Sequence, residues 1–459
     1  MRSRALWLVA LAGGATLLLT GLGSGLLFLA IGFLDDQGLT LTETLVAASV
    51  AGGGLFFGIP LMVHGWAGWQ GRSSGAFRPA LTGWLWPAFP ILLGLGTLVS
   101  SSSYSVWLLP PIHILAMAFP PLLVLGTLGL AISGPVSSWR ETLTAAFGGG
   151  ALALGVSMFI EGLLGVVLFM AVAVVVAMTP NGQEMITGLL ERLQDPSGMA
   201  GFADLAELLV SLPVVLVLLG MFSILIPLVE EAVKVLAPGI AARGLHPQPG
   251  RAFWLGVAAG AGFALGENML NGALGGMGGW TASVLARCGA TLMHCATGGL
   301  VGWGWGEWWR SRRPLYLPGV YLTAMAIHGV WNALSIGTVV LGAASVVYKS
   351  GWPAYAASMG IWLTTGLLIS LSLLFALGLL VAARRLSGDV DITSLLSPAQ
   401  GANQHVGEEN VGPATDLTSA GDCLPPPIEV ACSGPQAAPT AVSASAQAPG
   451  EADFPIGTR

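Results

Sequence analysis

The sequence predicts an all-α protein: a polytopic helical membrane protein of about ten transmembrane helices, followed by a disordered, acidic, cytoplasmic tail. Three observations lead there. Of the 459 residues, 54% are hydrophobic and only 9% are charged, against about 25% charged in an average soluble domain. Apolar stretches recur at lengths near the roughly 20 residues that a helix needs to cross a bilayer. The basic residues fall in alternate connections between those stretches, as the positive-inside rule requires.

The expected spans are 6–34, 44–69, 81–99, 106–133, 143–177, 206–240, 252–271, 282–305, 318–347 and 357–383. The first follows Arg2 and Arg4, which resembles the start of a signal peptide. Its apolar run is too long for one and no A-x-A site follows, so it reads as a retained helix. Gly148, Gly149 and Gly150, and likewise Pro213 and Pro227, are expected to break or kink the longer spans. Four divisions follow: residues 1–205 with about five spans of unknown role, a core at 206–347 rich in buried charge, a last helix at 348–385, and the tail at 386–459.

With the N-terminus placed in the cytoplasm, the inside segments hold Arg2, Arg4, Arg72, Arg78, Arg140, Arg243, Arg251, Arg310, Arg312, Arg313, Arg384 and Arg385. The outside loops hold only Arg192 and Lys349, beside acidic residues such as Asp35, Asp36, Glu184 and Glu191. A miscounted span would scramble this alternation. Both termini are therefore expected in the cytoplasm of a multi-pass plasma-membrane protein. The tail carries nine acidic residues and one basic residue, Arg459. It is rich in Ala, Pro, Ser and Gly, and cannot bury enough apolar surface to offset the entropy of ordering. Without it the chain is nearly balanced, at sixteen basic and fourteen acidic residues. No basic patch suits nucleic acid. Cys288, Cys295, Cys423 and Cys432 form no CxxC pair and read as free thiols.

Ionisable residues at bilayer depth are costly, about 2.5–3.5 kcal/mol each on insertion scales, and mark function by default. Four consecutive spans concentrate them: Glu230, Glu231 and Lys234; Glu267, beside Phe263 and Asn268; Arg287 and His294; His328, beside Trp331 and Asn332. Glu230 and Lys234 are i,i+4, Glu231 and Lys234 i,i+3, and His328 and Asn332 i,i+4, so each set shares a helix face. Gly298, one turn past His294, leaves room for a neighbouring helix. At about 1.5 Å rise per residue the carboxylates and imidazoles lie roughly 15–22 Å from the inner ends of their spans. Plainer readings exist: Lys234 snorkelling to the interface, Arg287 pairing a buried glutamate, or either histidine making a helix-to-helix hydrogen bond. Glu161, His64 and His113 have no partner nearby in sequence and read as interior polar contacts; His246 and His405 read as solvated.

The four motifs Glu230-Glu231-x-x-Lys234, Phe263-Ala-x-x-Glu267-Asn268, His294 and His328-x-x-Trp331-Asn332, in this order on consecutive spans, resemble the PrsW family of intramembrane proteases. That family is similar to the CAAX-protease and bacteriocin-processing group, where a second motif has histidine in place of Glu267. The resemblance covers about residues 206–345 and makes 206–347 a protease-like core. It implies peptide-bond hydrolysis in the lipid bilayer on membrane-anchored regulatory proteins.

A carboxylate kept from water suits a general base near neutral pH. Glu230 or Glu231 fits that role, with Glu267 as second base or orienting group. His294 would assist as acid or base, and His328 and Asn332 would donate to the oxyanion. Lys234, Phe263, Asn268, Arg287 and Trp331 would support them. Cofactor use stays open between none and one divalent metal such as zinc, with Glu231 (or Glu230 in its place), Glu267, His294 and His328 as candidate ligands. Charge compensation by Lys234 and Arg287 tilts the reading to a metal-free glutamate mechanism.

Two other classes compete. A proton-coupled transporter would use the Glu, His and Lys cluster as a relay, but has no obvious use for the His328/Asn332 pair. An inert scaffold would tolerate loss of Glu230 and Glu231. The run Gly272, Gly275, Gly276, Gly278 and Gly279 is either a gate near Glu267 or a passive connection.

Overall fold

The computed structural model describes residues 2–34, 39–132, 137–178, 187, 206–207, 209–236, 239, 249–274, 279–313 and 315–386. The tail, most charges of the outside loops, Arg243, and Gly275, Gly276 and Gly278 lie outside the described residues. Among those described there is no strand, only an isolated antiparallel bridge between Ala76 and Ser138.

The helices are α1 (Arg2–Leu34), α2 (Leu41–Trp69), α3 (Thr82–Ser100), α4 (Ser105–Ala131), α5 (Trp139–Phe147) and α6 (Leu154–Ala177). After them come α7 (Leu212–Gly220), α8 (Ile226–Lys234), α9 (Pro249–Leu274), α10 (Trp280–Ser311), α11 (Tyr316–Val347) and α12 (Gly351–Leu386). Reciprocal capping boxes start two of them: Thr40 with Glu43 at α2, and Ser138 with Glu141 at α5. Four prolines sit inside α4. A helix in lipid tolerates them because its neighbours satisfy the freed backbone groups.

The glycine run and the prolines interrupt the longer spans without ending them. Gly148–Ala153 forms a π-helical turn that joins α5 to α6. A second π-turn, Met221–Leu225, joins α7 to α8. Pro213 stands in the first turn of α7, where a missing N–H matters least, and Pro227 directly follows the second π-turn.

Nine described segments are long and apolar enough to cross a membrane. The expected seventh span, α9, is a helix but is not among the nine. Arg251, Glu267, Asn268 and its glycines dilute its hydropathy, and it has little need of a lipid-facing side. Trp254, Val257, Ala258, Phe263 and Ala264 are at most 1% exposed.

Glycines let neighbouring backbones close on this central helix. Gly256 lies against Gly298 and Gly302, and Gly260 against His294 and Cys295 of α10. On the opposite side Gly149 lies against Ala259, and Gly262 against Ala146. The result is a buried α9 packed most closely on α10, with Glu267 meeting Arg287 and His294 of α10.

Candidate active site

The site begins at a local defect. Pro227 has no N–H to offer the carbonyl of Ser223, four residues back. The helix widens there into the π-turn, a feature frequent at functional sites. Of the carbonyls this frees, Phe222 O accepts from Asn332 Nδ2 at 2.8 Å. Gly329 of α11 closes on Ser223 O. The turn is thus pinned to α11 immediately before α8 presents Glu230, Glu231 and Lys234, all buried.

Glu231 is the most heavily engaged of the three glutamates. Its Oε1 accepts from Lys234 Nζ at 2.7 Å, His328 Nδ1 at 2.8 Å and Thr297 Oγ1 at 3.0 Å. Lys234 Nζ also lies 2.8 Å from His294 Nδ1 and 4.7 Å from the Phe263 ring centre. Lysine here is a buried cross-link among α8, α9 and α10 and does not snorkel.

Glu267 is held as firmly from another side. His294 Nε2 is 2.5 Å and Arg287 Nη2 2.8 Å from its Oε2, and Asn271 Nδ2 donates to its Oε1 at 2.8 Å. Asn268 orients this arginine: its Oδ1 accepts from Arg287 Nε at 2.8 Å, while its Nδ2 donates to Thr291 Oγ1 at 3.0 Å and to Met117 O.

Glu230 differs. Its Oε2, like that of Glu231, is buried and has no hydrogen-bond partner among the described residues, but Glu230 lacks the ion pair and the three donors that engage the other oxygen of Glu231. The nearest imidazole atom to Glu230 Oε2 is His328 Nε2 at 3.7 Å. Since Nδ1 of His328 donates to Glu231, Nε2 keeps its lone pair and points it toward Glu230. Glu230, His294 and His328 each offer one ligand atom, all within 4.8 Å of one another, and all three residues are buried. The rings of His294 and His328 meet edge to face at 5.0 Å.

Glu230 and His328 fit a metal by the chemistry of the donor set, and His294 completes the set by exchanging one of its two contacts, Lys234 at Nδ1 or Glu267 at Nε2, for the ion. Two ligands at about 2.1 Å on a tetrahedral centre are about 3.4 Å apart, near the gap between Glu230 and His328. A carboxylate holding the far nitrogen of a liganding histidine is the usual outer-shell arrangement. Charge compensation, which from sequence favoured a metal-free site, turns out to be local. Lys234 serves Glu231 and Arg287 serves Glu267, so Glu230 is left uncompensated. Of the ligands considered from sequence, the metal-like set takes Glu230 of the adjacent pair with both histidines, and leaves out Glu231 and Glu267.

A cavity of about 440 Å³ opens beside this cluster. Glu230, Glu267, Arg287, Trp331 and Asn332 line it, together with Glu161 of α6 and Ser49 of α2. Glu231 and His328 are not on its wall. Sequence reading missed Thr297, Asn271 and Thr291. The first two lie three and four residues beyond His294 and Glu267, a helical spacing that would have flagged them. His64 accepts from Arg140 Nε, and His113 from Trp280 Nε1, the interior contacts expected of them. Glu161, placed in the same class, reaches the cavity instead.

No curated protein matches the chain, and no solved structure does. Residues 197–363 match the model of a family described as PrsW family intramembrane metalloprotease. The match takes in α7 to α11 and the start of α12, hence every motif above, while α1 to α6 precede it. Over that segment the chain is similar to the PrsW family of intramembrane peptidases.

Proposed function

We propose that the protein hydrolyses a peptide bond of a membrane-anchored protein inside the bilayer, at a divalent metal held by Glu230, His294 and His328. The observation that carries this reading is the unpartnered, buried Oε2 of Glu230 facing the free Nε2 of His328. A metal bound there supplies Lewis acidity toward water and the scissile carbonyl.

The remaining work falls to the side chains. Glu231, fixed by three donors, holds His328 through Nδ1 and sets its tautomer. Lys234 steadies both Glu231 and His294. Glu267 lies on the cavity wall and is the base that takes a proton from the attacking water. The water oxygen bonds to the carbonyl carbon, the C–N bond breaks, and Glu267 returns the proton to the leaving amine. Asn332 keeps a second amide N–H beside the one given to Phe222 O, and lines the cavity. It is the donor for the oxyanion, and His328, with both nitrogens facing carboxylates, is not.

The test is reconstitution of the purified protein in liposomes with candidate single-span substrates. The parent should release two fragments, and Glu230→Gln should release none while accumulating normally. Equal cleavage by Glu230→Gln and the parent would refute the proposal.

A further inference from the structure

Glu161 is the one ionisable side chain of α6, set among Met158, Phe159 and Leu163, which face outward. A carboxylate in such a helix is costly unless it finds a partner or an aqueous cavity. Glu161 lines the cavity that also holds Glu230, Glu267 and Arg287. Its Oε1 is buried and has no hydrogen-bond partner among the described residues. The two cations of the site are engaged elsewhere, Lys234 on Glu231 and Arg287 on Glu267. Glu230 belongs to the metal-like donor set. Glu161 is therefore the carboxylate on this wall with neither a cation nor a place in that set.

Its position in the chain narrows the role. The segment matched by the family begins at residue 197, so Glu161 lies outside it. Chemistry shared across a family has to be carried by the shared segment. A carboxylate brought to the same cavity from outside it suits selection of the substrate. An ionised carboxylate only accepts hydrogen bonds, and a basic side chain at bilayer depth seeks a counter-charge in a cavity. We propose that Glu161 is a specificity-determining residue that pairs with a Lys or Arg side chain of the substrate segment beside the scissile bond. This rests on the peptidase reading above and names the substrate class for it. A site built to pair a polar group discriminates strongly, because an apolar competitor leaves the carboxylate buried and unpaired.

The test uses the full-length purified protein and a set of synthetic single-span peptides of one apolar sequence. One position, scanned along the span, is Arg, Lys, norleucine or Glu. Mass spectrometry reads kcat/KM for each peptide. For the parent, the Arg and Lys peptides should exceed the norleucine peptide by about tenfold at one position, the scale of a charge-assisted buried hydrogen bond. Glu161→Gln should bring that ratio close to one, and Glu161→Lys should shift the preference to the Glu peptide. A parent that cuts the set with no basic preference at any position overturns the inference and leaves the peptidase reading standing, even if neither variant folds. So does a Glu161→Gln protein that keeps the parental ratio. A parent that cuts no peptide overturns the peptidase reading, and this inference with it.

Discussion

Lys234 shows how a single side chain organises this site. It is fully buried, 2.7 Å from Glu231 and 2.8 Å from His294. Removing one partner of a buried ion pair costs about 3–5 kcal/mol, because the other charge stays buried. Lys234→Met should therefore lower the unfolding midpoint of the purified protein and its accumulation in membranes. Adding Glu231→Gln should recover part of the loss, and a double-mutant cycle in a thermal assay measures the coupling. Strict additivity would mean that the pair does not interact. The adjacent glutamates should part company: Glu231→Gln should lose stability as well as turnover, whereas Glu230→Gln should lose turnover altogether at near-parental stability. Sequence spacing restricted the partner of Lys234 to these two residues. It could not choose between them, since i,i+3 and i,i+4 positions are both neighbours on a helix. Thr297 and His328, which come from α10 and α11, decide for Glu231.

At the scale of the helix, α9 and α10 are held by backbone contact. Gly260 lies against the carbonyl of His294 itself, so a β-carbon there would push α10 away from Glu267. Gly260→Val should cost about 1–3 kcal/mol through overpacking and should reduce cleavage by more than the stability loss explains. Measuring both thermal midpoint and turnover separates the two effects; unchanged turnover would show that the helix spacing is not needed for the chemistry. The spans themselves were readable from hydropathy because lipid demands uninterrupted apolar length. The π-turns were not, since Gly148–Gly150 and Pro227 signal disturbance without saying its kind. α9 passed as an ordinary span in sequence, although its burial is the work of small residues spaced to admit neighbours.

Across the whole molecule, an N-terminal set of helices is packed on the segment that the family model matches. The cavity has walls from both, with Ser49 and Glu161 contributed from before residue 197 and Glu230 and Glu267 from after it. A cavity of that origin is not legible in a one-dimensional pattern, because α2, α6 and α9 are far apart in sequence. The charge asymmetry of the loops bears on orientation. Reporter fusions after Lys349 and after Arg385 should report outside and inside respectively. An outside signal after Arg385 would refute the even count of crossings.

The divalent metal proposed at Glu230, His294 and His328 can be counted directly. The most direct measurement is the metal content per chain of the purified, cleavage-competent protein, by elemental mass spectrometry, in the parent and in Glu230→Gln. The account predicts close to one divalent ion per parental chain and a large loss in Glu230→Gln. A parent that cleaves at full rate with far less than one ion per chain, or a variant that retains the parental content, would contradict it.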